Sequence, residues 1–438
     1  MFRNWPNYGA YRGRPESRLP RIPSTWQWKR LASIGRKVSA SGRPDLPLLS
    51  VYLDRGVIPY AEGGRRVHAP SEQLDAYQIV RPGDLVLNNQ QAWRGSVGVS
   101  DHHGIISPAY VIWRNSSAIS AQYGKYLFRA PVMVDQFVMA SRGVGDIQRD
   151  LHGPSLRNLL VPVPPLEDQG AIAKYLAHAN ARIDKAIAAK RYLIALLEEQ
   201  KRALLNERML SAPSGDLVPV KALLRPVSSV VGDSHRQKTL LSLTLRGVIP
   251  RDLENAKGKF PSDFSTYQDL RPGQFVFCLF DVDETPRTVG LSRVEGMITG
   301  AYDVFDSVDP SASEYLELFF TAMDNAKAYR PLYTGLRKVL PRDRFLRTVV
   351  PLPGEAIRQS VVGEIRAFMA ESAVVIERVS REVALLQEFR ARLVADVVTG
   401  QVDVRAIAES LPDSTEGFDT STSVLDDGLE EALSEGEE

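Results

Sequence analysis

Residues 161–210 read VPVPPLEDQGAIAKYLAHANARIDKAIAAKRYLIALLEEQKRALLNERML, a proline-rich stop followed by one very long helical pattern. Proline lacks the N–H that a ladder or helix interior needs, so Pro162, Pro164 and Pro165 close whatever precedes them. Beyond them Ile172, Leu176, Ala179, Ile183, Ala186, Leu193, Leu197 and Leu204 form a heptad-like seam, interrupted by Lys190 and Lys201. Neither Pro nor Gly falls between Ala171 and Leu210. At ~1.5 Å per residue such a helix is about 60 Å long, more than one compact domain requires. It is a spacer or an assembly surface.

The rest of the chain repeats itself around this helix. LSVYLDRGVIP at 49–59 returns as LSLTLRGVIP at 241–250, and RPGDLVLN at Arg81 returns as RPGQFVFC at Arg271. VGVSDHHGIISPAY at 97–110 returns as VGLSRVEGMITGAY at 289–302, and VPVPP at Val161 returns as VPLPG at Val350. Four matches in one order, all offset by about 190 residues, define a tandem duplication. Between them run short alternating stretches split by Gly, Asp and Pro, the pattern of strands and turns.

The second copy also ends in a helical pattern. Val361, Ile365, Phe368, Val375, Val379, Val383, Leu386, Leu393 and Val397 carry its seam, and Gly400 is a stop. Two such helices, each following a globular unit, can bury their seams on one another. An antiparallel pair would place those units at opposite ends of a rod that fixes their separation. The expected class is α+β: two β-rich globular domains separated by a pair of long antiparallel coiled-coil helices, a pseudo-two-fold tandem repeat. The expected boundaries are an extended arm 1–20, a first domain 21–164, a first helix 165–212, a second domain 213–353, a second helix 354–400, and a disordered acidic tail 401–438.

Composition excludes several classes. No apolar run is long enough to span a membrane, and the N-terminal residues lack a signal-peptide core. The single Cys278, in the apolar run FVFCLF, permits neither an internal disulfide framework nor a multi-cysteine zinc site and reads as a core residue. A cytoplasmic protein is expected. The net charge of +1 hides an asymmetry, because 409–438 holds 11 acidic side chains and no Lys or Arg. Without that segment, 54 basic residues face 42 acidic ones, a body of charge +12 suited to a polyanion.

Catalytic signatures are missing: no phosphate-binding loop, no dinucleotide fingerprint, no zinc-protease motif and no Asn/Asp-Pro-Pro-Tyr/Phe run of amino-methyltransferases. His102 and His103 are adjacent but lack a third metal ligand. Amide-, Arg- and aromatic-rich loops are the better candidates. Asn88, Gln90, Gln91, Trp93 and Arg94 follow the RPGDLVL strand; Asn and Gln can pair bidentately with adenine and Arg with guanine. The alternative is a polar turn with Trp93 as a core anchor. A second loop holds Arg142, Gly145, Gln148 and Arg149, and its counterpart Tyr333, Gly335, Arg337 and Lys338. Glycine lets backbone approach a phosphate, and the flanking cations supply charge; the alternative is a helix-ending glycine loop with solvated charges. In the second copy a loop ending in Arg287 replaces the Asn/Gln/Trp loop. One framework with different loops suits two modules reading two targets.

IPSTWQWKRL, the recurrent RGVIP and RPGDLVLN elements, and above all VPVPPLEDQGAIAKYLAHANARIDKAI resemble the specificity (S) subunits of type I restriction–modification systems. The resemblance covers about residues 20–405. It departs in the second copy, where PPLEDQ becomes PLPGEAIRQ and Arg182-Ile183-Asp184 has no clear match. It implies two target-recognition domains, each reading half of a split sequence in double-stranded DNA, with the helices as a ruler. It further implies a non-catalytic chain assembled with methyltransferase subunits using S-adenosylmethionine and with restriction subunits using ATP and Mg; no cofactor is expected in this chain. Methyltransferase docking on the helices makes Gln169, Arg182 and Asp184 partner-binding candidates. Two other classes compete: a coiled-coil adaptor with two β-rich protein-binding modules and no DNA function, and a stand-alone enzyme with an unfamiliar site.

Overall fold

The computed structural model describes residues 5–13, 20–53, 55–63, 70–71, 73–144, 148–211, 215–251, 264–282, 284–335 and 338–413. The chain divides into two compact units, one of residues up to Ile187 together with the segment that starts at Val383, the other Ala188–Glu382. Each long helix therefore contributes residues to both units.

In the first unit a four-stranded antiparallel sheet runs in the order Gly35–Val38, Tyr110–Asn115, Asp84–Asn88, Val97–Val99. The RPGD turn delivers the central strand, with Gly83 at φ 87°, a conformation open to glycine at little cost. Leu85, Val86 and Leu87 are fully buried, which is why this strand reads as a continuous apolar run. Three two-stranded pairs complete the framework: Leu49–Tyr52 with Gly56–Pro59, Gln78–Val80 with Gly104–Ile106, and Gln27–Arg30 with Leu160–Val163. The last closes the unit by setting the VPVPP segment against its opening strand. Trp26, Tyr123, Phe128 and Phe137 form the core with Ile172, Leu176 and Ile183 of the first long helix and Leu393 and Val397 of the second.

The second unit repeats this scheme strand for strand. Its sheet order is Leu224–Val227, Asp303–Ser307, Gln274–Phe277, Val289–Leu291. Its pairs are Leu241–Thr244 with Gly247–Pro250, Gln268–Leu270 with Gly296–Ile298, and Asp216–Pro219 with Val349–Leu352. Even a buried polar contact is conserved in place and rewritten in chemistry. Asp84 accepts two bonds from Arg114 across neighbouring strands, at 2.8 and 2.9 Å, whereas Gln274 donates to Asp306 at 2.8 Å. Carboxylate with guanidinium has become amide with carboxylate, and both pairs stay matched. The duplication seen in the sequence is present in the fold.

The long helices are Leu166–Asn206 and Glu355–Val398. In the second unit Lys190 meets Glu382 at 2.5 Å and Arg208 meets Glu364 at 2.6 Å, steps of 18 residues in opposite directions, so the helices run antiparallel. In the first unit Arg390 meets Asp184 at 2.5 Å. Lys190, an interruption in the apolar seam, thus reaches across to a carboxylate on the other helix.

The seam itself differs from the heptad reading. Leu193 is 42% exposed and Val375 41%, while Ile172, Ile183, Ile194 and Leu205 are buried at steps of 11. Eleven residues over three turns lies close to the 3.6 residues per turn of a straight helix, so one face stays inward without the drift of a seven-residue step. The second helix does keep sevens, through Ile365, Ser372, Val379 and Leu393, with a polar Ser372 on the buried face that the expected seam left out.

Both expected termini require correction. Tyr8, assigned to the extended arm, is 6% exposed and packs edge-on against Trp26 at 5.5 Å, and Tyr11–Arg12 pairs with Ile22–Pro23. The segment after Gly400, assigned to the tail, buries Val402, Val404 and Ala408 in the first unit and stays folded through Asp413. Arg405 explains the join: it lies 4.7 Å from the Tyr8 ring and grips Asp403 at 3.0 and 2.6 Å. Asp403 N–H also donates to Pro6 at 2.8 Å. Gly400 ends the helix at φ 72°, and a Cβ there would fall 2.4 Å from Pro23, so only glycine fits.

Candidate nucleic-acid interface

In the first unit the two candidate loops meet. Asn88 ends its sheet strand, and its Oδ1 accepts from the Gln90 N–H at 3.1 Å, curling the loop back. A short 3-10 turn, Ala92–Arg94, follows and is capped by Gly95 in the left-handed region. Ala92, fully buried, anchors this turn, whereas Trp93 remains half-buried with its indole N–H donating to Gln90 O at 2.8 Å. Trp93 is therefore no core anchor. Arg94 lies 4.5 Å and Arg149 5.1 Å from the Trp93 ring, which gathers two cations on one aromatic.

Arg149 comes from the second loop, a hairpin of Ser141–Val144 with Gln148–Leu151 in which Arg142 faces Asp150 across the ladder. Asn89 binds this hairpin twice, through Asn89 Nδ2 to Asp150 at 3.1 Å and through the Leu151 N–H to Asn89 O at 3.1 Å. Gln90, Arg94 and Arg142 are exposed, Asn88 and Gln91 partly so. Gly145 lies outside the described residues, and Gln148 opens the second hairpin strand. Amide, guanidinium and indole groups thus share one surface.

The second unit places its loops alike but fills them differently. Leu340 N–H donates to Leu279 O at 2.8 Å, matching the Leu151–Asn89 bond, and Lys338 lies 3.9 Å from Glu284. Gly335 has φ 71° and Lys338 φ 45°, the latter in a conformation uncommon outside glycine. Tyr333 caps a short turn and packs partly into the core; Arg337 lies outside the described residues. Arg287, expected at the surface, is turned inward. Its side chain is 13% exposed, and its guanidinium contacts Asp324 at 3.4 Å and Asn325 at 3.1 Å. Burial pulls its pKa below the usual arginine value, against the opposing pull of Asp324. Asp324, 3% exposed, also accepts from the Thr288 N–H and from Lys327, which itself holds the carbonyls of Val282 and Thr285. Arg287 belongs to a lock that fixes the loop's shape. Cys278 beside it is buried, and desolvation raises its thiol pKa, keeping it protonated.

The three helix candidates separate in the same way. Gln169 is fully buried: its Oε1 accepts from Ser120 N–H at 2.8 Å, and its Nε2 donates to Ala118 O at 2.8 Å and Pro164 O at 3.0 Å. It splices the long helix to the unit and cannot meet a partner. Arg358 takes this place in the second unit, donating to Pro353 O at 3.2 Å. Arginine has no acceptor, so the facing loop supplies Asp309 and Ser311 oxygens at 3.3 and 3.2 Å. Asp184 is exposed but holds Arg390, and Arg182 is exposed. Among the described residues no helix is long and apolar enough to cross a membrane, and no group of three His, Cys, Asp or Glu could hold a metal.

No protein-family model matches the chain, and no curated protein matches its sequence. Solved structures do. A chain from a study of complex assembly and conformational transition of the type I R-M system superposes with a TM-score of 0.66 at 14% identity, covering 89% of this chain and 100% of that one. The HsdS subunit from Thermoanaerobacter tengcongensis gives 0.47 at 16% identity, over 87% and 98% of the two chains. The type I restriction-modification S subunit from M. genitalium gives 0.35 at 8%, over 88% and 97%. This chain shares the fold of the first of these, the chain from the type I R-M system, with two β-rich units and two long helices.

Proposed function

We propose that this chain is the non-catalytic DNA-recognition subunit of a type I restriction–modification complex, reading a bipartite duplex target with its two units. One observation carries the reading. The same strand pairing is built twice, and each copy presents two adjoining loops whose chemistry differs: Asn, Gln, Trp and Arg in the first, Asp, Glu and Lys in the second. Duplicated scaffolds with divergent loops suit two half-sites of different sequence. Phosphate contacts would position each unit, and amide and guanidinium groups on base edges would discriminate. The fold likeness and the basic body support the same conclusion.

The partners would be methyltransferase subunits supplying S-adenosylmethionine chemistry, and restriction subunits using ATP and Mg, in the cytoplasm. The outward face of the helices offers the docking surface. Tyr192, Leu193 and Leu196 are 51%, 42% and 37% exposed at helical spacing, and Val374 is 67% exposed on the second helix. Side chains of this size, exposed together, mark a binding face. A coiled-coil adaptor would use that face too, so DNA binding decides between them. The complex of this chain with its methyltransferase subunits should bind duplex DNA with an affinity falling ~10³-fold or more between 50 and 200 mM salt. Binding of protein partners alone, insensitive to salt and DNA, would establish the adaptor.

A further inference from the structure

A groove of about 500 Å³ opens in the first unit where the short helix Ala121–Leu127 meets the opening turns of the long helix. Tyr126, Leu166, Ala173 and Ala177 give it an apolar floor and rim, and Lys125 and Lys174 stand at its edge. Leu166 is 60% exposed there, a large apolar side chain at the head of a helix in which Asp168 and Gln169, two and three residues on, are both buried while Glu167 between is exposed. Lys125 shares its charge with exposed Asp101 at 2.5 Å.

The folded C-terminal segment leads to this groove. His178 Nε2 lies 2.9 Å from Pro412 O, and Lys174, a groove residue, holds Asp413 at 2.7 Å. The following residues are Ser414, Thr415, Glu416, Gly417, Phe418 and Asp419. Of the 11 acidic residues in 409–438, Glu409 and Asp413 precede this point, so nine acidic and no basic side chains follow it. Five residues reach at most about 17 Å, enough to bring Phe418 from Asp413 into the groove.

We propose that the acidic segment beyond Asp413 docks in this groove, with Phe418 against Leu166 and Tyr126, and Glu416 and Asp419 beside Lys174 and Lys125. The chain carries its own occupant for the head of the long helix, and any protein docking there displaces it. This inference does not depend on DNA recognition. Tethering supplies an effective concentration of ~1 mM, so even a contact of ~100 µM intrinsic affinity is occupied about nine-tenths of the time.

Amide hydrogen exchange tests it on the full chain, a chain ending at Asp413, and Phe418→Ser. Amides of the short helix and the first turns of the long helix should exchange about tenfold faster in both variants, with the melting temperature unchanged. A synthetic peptide of residues 414–426 should restore protection to the shortened chain but not to its Leu166→Ser form. Equal exchange in all three proteins overturns the proposal. So does a groove that gains protection only when a methyltransferase subunit is added, because the partner is then its occupant.

Discussion

Replacing Gln169 by alanine tests how the long helix is joined to the first unit. The amide is fully buried and makes three hydrogen bonds, to Ser120 N–H, Ala118 O and Pro164 O. Each is worth about 1 kcal/mol net, and the backbone groups left behind lose their partners in a buried site. The expected cost is therefore about 2–4 kcal/mol. Gln169→Glu should cost at least as much, since a carboxylate still accepts from Ser120 but faces two carbonyls it cannot donate to. A chain of two units need not unfold in one step, so a single global free energy is the wrong readout. Amide exchange resolves the units separately. At about 1.4 kcal/mol per tenfold, exchange in the first unit should accelerate by roughly 30- to 1000-fold, while the second unit is unaffected. A change below tenfold, or one shared equally by both units, would refute this role for Gln169.

Three further expectations follow from the same contacts. Trp93→Ala should weaken duplex binding by the assembled complex about 5- to 30-fold and relax one half of the target, with melting nearly unchanged, because Trp93 gathers Arg94 and Arg149 at the surface without anchoring the core; a folding defect with unaltered DNA preference would contradict it. Asp324→Ala should destabilise the second unit by about 3 kcal/mol in denaturation monitored by exchange, since it removes a buried carboxylate and leaves the half-buried Arg287 and Lys327 without it. The acid response follows from Asp309, held below the usual carboxylate range chiefly by Ser311, and Asp403, held there chiefly by Arg405. Folded values below unfolded ones stabilise the protein fully above the ordinary carboxylate range and lose that contribution as pH falls through the folded values. Melting temperature should thus hold from pH 7 to about 5 and drop below about 4; a fall between pH 7 and 5 would contradict the assignment.

What the sequence revealed follows from how local each signal is. The duplication was legible because RGVIP and RPG turns impose glycine at positive φ, as at Gly83 and Gly273, and such positions tolerate little drift. Both long helices were legible from uninterrupted periodicity, but the buried face was not. Ala186, Leu193 and Leu204 have the same spacings as the buried Ile187, Ile194 and Leu205, shifted by one residue, and only a partner surface chooses between neighbouring residues. Gln169 looked like a surface amide beside acidic residues because nothing local shows that Ala118 and Ser120 come back to meet it. Arg287 misled for the same reason: its partner Asp324 is 37 residues away. The two loops of the first unit were each singled out, yet their meeting at Trp93 depends on Arg149, 56 residues downstream, and no local signal brings the two together. A signal did exist for Arg358: glutamine replaced by arginine at the head of a repeated helix calls for new acceptors opposite, and Asp309 and Ser311 provide them.

The central claim, that one duplicated scaffold reads two half-sites through different loops, is tested most directly by mapping methylated adenines in cells expressing this chain with its methyltransferase partner. The account predicts one bipartite motif with a fixed gap that disappears when this gene is deleted. With Gln90, Gln91 and Arg94 all replaced by alanine, one half of the motif should change while the other half and the gap persist. A motif indifferent to this chain, or one altered in both halves by substitutions in a single loop, would contradict it.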